Sequence, residues 1–203
     1  MGAIPTVGPY FLPYLLGRLR EAFPAMQLIL TERRTGTLVP LLRSGEIDAA
    51  LVCAPVADAG LAAHALFFEP FVIAHPPRHP PHWPPVPGRD RLVLLEEGHC
   101  LRDQTLAACG PTLPDARRHA TGLDMLRHLV AAGEGISLMP ALAAAALGEI
   151  DGRVAYTPVP TADAGRHVIL LARASDPRAA HLAHLAGLAR SCVPPPAVPA
   201  SEA

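Results

Sequence analysis

Four cysteines and ten histidines are the side chains best suited to reactive chemistry in this 203-residue sequence. Two of the cysteines, Cys100 and Cys109, stand nine positions apart in the run GHCLRDQTLAACG. Leu101, Leu106, Ala107 and Ala108 make that run competent to form a helix. Over this distance a straight helix rises ~13.5 Å and turns about half a revolution beyond two full ones. A disulfide requires Cα atoms ~4.4–6.8 Å apart, so the pair cannot bridge while such a helix is intact. Pairing requires the segment to unwind, which makes it a two-state element.

Only the thiolate attacks an oxidant, and a free cysteine is mostly protonated at neutral pH. Cys100 has His99 beside it, Arg102 nearby and a place at the expected helix N-terminus, all features that lower a thiol pKa. Peroxide converts such a thiolate to a sulfenic acid, which a second thiol condenses with to give a disulfide. Residue types alone leave three roles open for this pair: small buried hydrophobes, metal ligands or redox partners. Cys53, in an apolar strand, and Cys192, at the end of the last helix, read as buried hydrophobes. No C-x-x-C pair or zinc-type histidine spacing surrounds Cys100 and Cys109, so neither metal nor cofactor is expected.

The elements that must position these residues follow from pattern. Half of the residues are hydrophobic, enough for a sizeable core in one domain or two small lobes. A formal net charge of -1 provides no basic face for nucleic acid. No apolar run has the length of a membrane helix, and Met1 to Tyr10 lacks a signal-peptide pattern, so a cytoplasmic location is expected. A short strand at Ala3–Val7 leads into a helix from Pro9, with Phe11, Leu15, Leu19 and Phe23 at helical spacing. Met26–Leu30 reads as a strand, Thr35 as the N-cap of a helix ended by Gly45, and Ala49–Val52 as a buried strand. Leu66–Ala74 is extended. Strands are also expected at Leu92–Leu95, Ile136–Met139, Val154–Pro158 and His167–Ala172. Helices are expected at Leu123–Ala131, closed by Gly133, and at Arg178–Arg190, with Leu182, Leu185 and Leu188 facing inward. Alternation of strands and helices defines an α/β fold.

Several runs resemble a known family. GHCLRDQ followed by Cys109 is similar to the motif of the peroxide-sensing LysR-type transcriptional regulators, and IPTVGPYFLPYLL continues the likeness. RSGEIDAALV and VAAGEGISLMPALA resemble LysR-type effector domains generally, and the resemblance runs from Gly2 to about Ala172. It implies two Rossmann-like α/β lobes of the periplasmic-binding-protein type joined by crossover strands. Residues 1–75 with 168–203 would form one lobe and 76–167 the other, which carries the redox cysteines. The Pro76–Pro87 run is expected as a surface connection between lobes, and 193–203 as a disordered tail.

The resemblance also implies roles. Cys100 would be peroxidatic and Cys109 resolving, with Thr6, Thr35, His99 and Arg166 holding hydrogen peroxide and Asp103 assisting proton handling. Thr35 has a bland alternative as a helix cap, and Thr6 as a turn residue. The family's partners would be peroxide, further copies of the chain as dimers or tetramers, and DNA through an upstream domain that has no counterpart here. A stoichiometric sensor, not an enzyme, is the expected function. The stretch from Cys109 to Thr121 is short for the family, which would limit the amplitude of a rearrangement. Two other classes stay in view: a LysR-type domain binding a small organic effector between its lobes, and a thiol peroxidase.

Overall fold

A computed structural model describes residues 1–56, 59–86, 89–110, 118–161 and 163–201. The chain divides into two compact units, Met1–Glu69 with Arg166–Ala203, and Pro70–Gly165. Both boundaries differ from the expected ones at 75 and 168. The physical reason is that one strand, Leu61–His75, runs unbroken through the first boundary. The proline-rich run therefore follows a completed strand inside the second unit and does not link the lobes. Its last residue, Pro87, lies outside the described residues.

In the first unit, β1 (Gly2–Ala3), β2 (Thr31–Glu32) and β3 (Ala49–Cys53) are parallel, with β1 between the other two. Next to β3 lies β9 (Gly165–Arg173), antiparallel and in register from Ala49↔Ala172 to Cys53↔Val168. The first part of β4 (Leu61–His75) follows, and then β10 (Val198–Pro199). All five residues of β3 are buried, as an unbroken apolar run demands of a strand covered on both faces.

Helix α1 (Gly8–Ala22) buries Phe11, Leu15 and Leu19 at four-residue spacing, and the Phe11 ring lies 4.8 Å from that of Phe67. The fourth residue of the expected stripe, Phe23, is the half-buried C-cap. Helix α2 (Thr35–Ser44) ends at Gly45, whose φ of 79° is the left-handed conformation that glycine adopts without strain. Helix α6 (Ala179–Ser191) buries Leu182, Ala186 and Ala189; Leu185 and Leu188 stand half-exposed, so the inward stripe is made partly of alanine.

Three further expectations are corrected here. Met26–Leu30 is not a strand: Ile29 is 81% exposed, and pairing begins only at Thr31, where its N–H reaches the carbonyl of Met1. The opening strand stops at Ala3 because the Val7 and Gly8 N–H groups turn back onto the Ile4 carbonyl. The expected disordered tail is corrected as far as residue 201: Val198 and Pro199 pair with Phe68 and Phe67 on the edge of β4, and Ala197 is buried; residues 202 and 203 lie outside the described residues.

A charged cluster pins α6 to the sheet. Asp176 is buried and accepts from the backbone N–H of Arg178 at 2.9 Å and from Arg173 Nη2 at 2.7 Å. Arg173 also donates to the Leu42 and Ile47 carbonyls, which gathers the end of α2 into the same cluster. Hydrogen bonds from Arg178, then the charges of Arg178 and Arg173, hold the Asp176 carboxyl well below the usual carboxylate range. A depressed carboxylate contributes stability that is present above its unfolded pKa of about 3.9 and is lost as pH falls. Asp176→Asn is expected to cost about 2–4 kcal/mol in urea unfolding at pH 7, since one side of the cluster is solvated. The variant should also lose part of the wild type's acid sensitivity; an unchanged midpoint would refute the assignment.

In the second unit, β7 (Ser137–Pro140) and β8 (Ala155–Pro158) are antiparallel to the distal part of β4. β5 (Val93–Leu95) and β6 (Arg118–Ala120) form a parallel pair, and α4 (Leu123–Ala131) packs on both. Gly133 closes the turn after α4 with φ 81°, and α5 (Ala141–Leu147) follows β7 directly.

Candidate functional site: two thiols on one helix and a buried arginine cluster

Helix α3 spans Cys100–Cys109, so the two cysteines of interest are its first and last residues. Leu101, Thr105 and Cys109 are buried at four-residue spacing, and α3 packs on β5. Cys100 lies off this stripe and is half-buried. The mid-helix Thr105 hydroxyl donates back to the Leu101 carbonyl at 2.7 Å, which satisfies it without any partner outside the helix. Gly110, at φ 81°, ends the helix immediately after Cys109.

Neither thiol is in a disulfide. With α3 intact, helix rise holds their Cα atoms ~13.5 Å apart on opposite faces, well beyond disulfide reach. Burial pushes the Cys109 thiol up to about 11, so it stays protonated and poorly nucleophilic while seated on β5. The residues after the helix, 111–117, lie outside those described, and with them most of the Cys109–Thr121 stretch.

At the N-terminal end, His99 is the N-cap residue, with extended backbone and no side-chain capping bond; its side chain is buried. Arg102 sends its guanidinium to the Leu95 carbonyl at the end of β5, at 3.2 Å. Asp103, in the first turn of α3, is exposed. An acid there is favourable to the helix dipole.

The remaining expected residues belong to the first unit. Thr6 and Arg166 are both buried, at 3% and 2% exposure, and are directly bonded: Arg166 Nη1 donates to Thr6 Oγ1 at 2.8 Å. Arg166 Nη2 also donates to the Thr6 carbonyl at 2.6 Å. Thr35 is half-buried and is the first residue of α2; Arg34 occupies the cap, and no side chain caps it by hydrogen bonding. The capping alternative for Thr35 is thereby corrected.

Sequence reasoning missed Glu69. It is 1% exposed and its Oε2 accepts from Arg166 Nε at 2.8 Å and Nη2 at 2.7 Å. The available signal was a lone carboxylate inside the apolar run FFEPFVIA, which burial tolerates only with a cation beside it. Among the described residues, no cluster of three histidine, cysteine or acidic side chains is arranged to hold a metal ion. No described helix is long and apolar enough to cross a membrane. A cavity of about 710 Å³ in the first unit is lined by Leu19, Phe23, Leu28, Ile47 and Leu182, with Arg178 also on its wall. Thr6, Thr35 and Arg166 are not among its lining residues.

The two-unit α/β chain matches a defined class of substrate-binding domain. Residues 1–192 match the LysR substrate binding domain, and the chain belongs to that family. Among its relatives is the DNA-binding transcriptional dual regulator OxyR of Escherichia coli K12, 36% identical over 200 residues covering 94% of this chain and 65% of that protein. Another is a probable hydrogen peroxide-inducible genes activator of Mycobacterium avium, 36% identical over 93% of this chain and 63% of its own length. The chain thus spans about 65% of the length of the first of these curated relatives.

Solved structures give the same answer. The reduced OxyR regulatory domain of Pseudomonas aeruginosa superposes with a TM-score of 0.83 at 36% identity, covering 96% of both chains. The reduced form of OxyR from Neisseria meningitidis gives 0.86 at 30% identity, covering 98% of this chain and 97% of that one. The fold is that of OxyR regulatory domains.

Proposed function

We propose that this chain is a hydrogen-peroxide-sensing regulatory domain that switches through a reversible Cys100–Cys109 disulfide. The observation that carries the reading is one helix bounded by two thiols, the first half-buried at its N-terminus and the second sealed at its C-terminus. The Cys100 thiolate attacks one peroxide oxygen, the O–O bond breaks, and the departing hydroxide takes a proton to leave as water. Sulfur is oxidised by two electrons to the sulfenic acid. The Cys109 thiol then displaces that hydroxyl, releasing a second water and forming the S–S bond. Because helix geometry forbids the bond, closure must be coupled to unwinding of α3.

Thr6, Thr35, His99 and Arg166 serve to hold the peroxide, and Asp103 assists the proton transfers; hydroxyl, imidazole and guanidinium groups suit a small ligand whose oxygens both donate and accept. The domain reacts stoichiometrically and is not an enzyme. It associates with further copies of itself, meets DNA through a separate domain and works in the cytoplasm. The relatives' roles as regulators and peroxide-inducible gene activators support this reading.

The test is a thiol count. One equivalent of peroxide should remove two thiols from the reduced protein and then stop until a reductant is added. Continuous peroxide consumption with reductant, well above the rate of free thiols, would instead identify a peroxidase. Stabilisation by an organic metabolite without thiol loss would favour an effector-binding domain.

A further inference from the structure

We infer that Thr105 sets how readily α3 leaves β5, and through that the rate at which Cys109 reaches an oxidised Cys100. The inference rests on the peroxide-sensing reading and adds to it the residue that regulates its second step. Everything it needs lies within the second unit. Helix α3 packs on β5, whose Val93, Leu94 and Leu95 are all buried. Three side chains of α3 are buried in turn: Leu101, Thr105 and Cys109. Of the three, only Leu101 is wholly hydrocarbon. A hydroxyl group holds the middle place.

That hydroxyl does not tie α3 to the strand. It donates to the Leu101 carbonyl at 2.7 Å, one turn back along the same helix. In an α-helix this carbonyl already accepts the Thr105 N–H. Removing the hydroxyl therefore leaves no orphaned acceptor, and water replaces its bond when the turn opens. A methyl group in its place would add apolar burial that is lost on release. Threonine and valine are both β-branched and close in helix propensity, so the backbone preference is nearly the same for either. What differs is the cost of exposing the residue to water. Thr105 leaves α3 weakly held between its ends, where the helix must open for its first and last residues to meet.

Release of α3 is read without peroxide, as the rate at which N-ethylmaleimide labels Cys109 in the reduced protein. A Cys100→Ser parent keeps the other thiol of α3 from reacting first. Peptide mass spectrometry follows Cys53 alongside, as a measure of opening in the other unit. Thr105→Val should slow Cys109 labelling by about fourfold or more, the equivalent of ~0.8 kcal/mol for one more buried carbon. Thr105→Ser keeps the hydroxyl and loses the methyl, and should label Cys109 faster than the parent. Cys53 labelling should stay within about twofold in both, as for a change remote from it. Where Cys100 is retained, Thr105→Val should lengthen the life of the sulfenic acid by the same factor as it slows labelling. Formation of that acid should stay within about twofold of wild type. Should Thr105→Val fold poorly, the acceleration in Thr105→Ser still carries the test.

Cys109 labelling in Thr105→Val at the parent's rate or above overturns the inference. So does Cys53 slowing in step with Cys109, a slower Cys109 in Thr105→Ser, or a sulfenic acid no longer-lived in Thr105→Val. A wild-type Cys100 that meets peroxide no faster than free cysteine sinks the sensing reading. The link from Thr105 to the second step then falls with it, even where labelling follows the expected order.

Discussion

Cys100→Ser is expected to abolish disulfide formation and every structural response to peroxide. The serine hydroxyl is nearly isosteric but is not ionised at neutral pH and has no accessible higher oxidation state of the kind that sulfur reaches. Cys109 cannot take over, since its thiol is buried and pushed up to about 11. Cys53 is buried at the end of β3, and Cys192 follows α6, both in the other unit from α3. The effect is therefore complete loss and not a partial slowing. Far-UV circular dichroism and free-thiol counts before and after peroxide should be superimposable for this variant. A retained spectral change would contradict the scheme.

Cys109→Ser should have a different and equally large effect: Cys100 should still be oxidised, but the product should stop at the sulfenic acid and the helix should not lock open. Sulfenic acid then becomes trappable by a dimedone-type reagent, in amounts that wild type shows only transiently. The same variant tests the role of burial. A thiol whose pKa is raised by folding stabilises the folded helix at low pH, and that contribution is lost as pH climbs from about 9 through about 11. Wild-type α3 should therefore open more readily in that window, and disulfide closure should accelerate with it. Cys109→Ser has no ionisable sulfur there, so its helix should show no such loss. Equal pH dependence in both proteins would mean that burial of Cys109 does not hold the segment shut.

Much of this arrangement is legible in the sequence where periodicity is strong. Phe11, Leu15 and Leu19 define the buried face of α1, and Cys100 to Cys109 marks the two ends of α3. Elsewhere local pattern is silent or misleading. Met26–Leu30 is apolar enough to read as a strand, yet its residues stand largely exposed while pairing waits until Thr31. Helix α5, ALAAAAL, carries no polar face to set a period and was invisible to a search for amphipathic spacing. The tail looks disordered by composition, but a free strand edge on β4 supplies hydrogen-bond partners that composition does not encode. Proline content likewise suggested that the units were joined at Pro76, whereas β4 carries Pro70 within a continuous strand and crosses earlier.

The site was legible in the same uneven way. Spacing singled out Cys100 and Cys109 but left their role open; resemblance gave them redox roles and carried Thr6 and Arg166, which are hydrogen-bonded to each other. Nothing local marks Glu69 as the partner of a residue 97 positions away, because that pairing exists only once β4 and β9 lie side by side. Buried ion pairs of this kind are set by topology, and sequence reveals at most that one member is out of place among apolar neighbours.

The most direct test is peptide mass spectrometry of the reduced protein after brief exposure to peroxide at low dose. The account predicts a linked pair of peptides joining Cys100 to Cys109, preceded by sulfenic acid at Cys100 alone. Modification falling first on Cys53 or Cys192, with Cys100 left as a thiol, would contradict it.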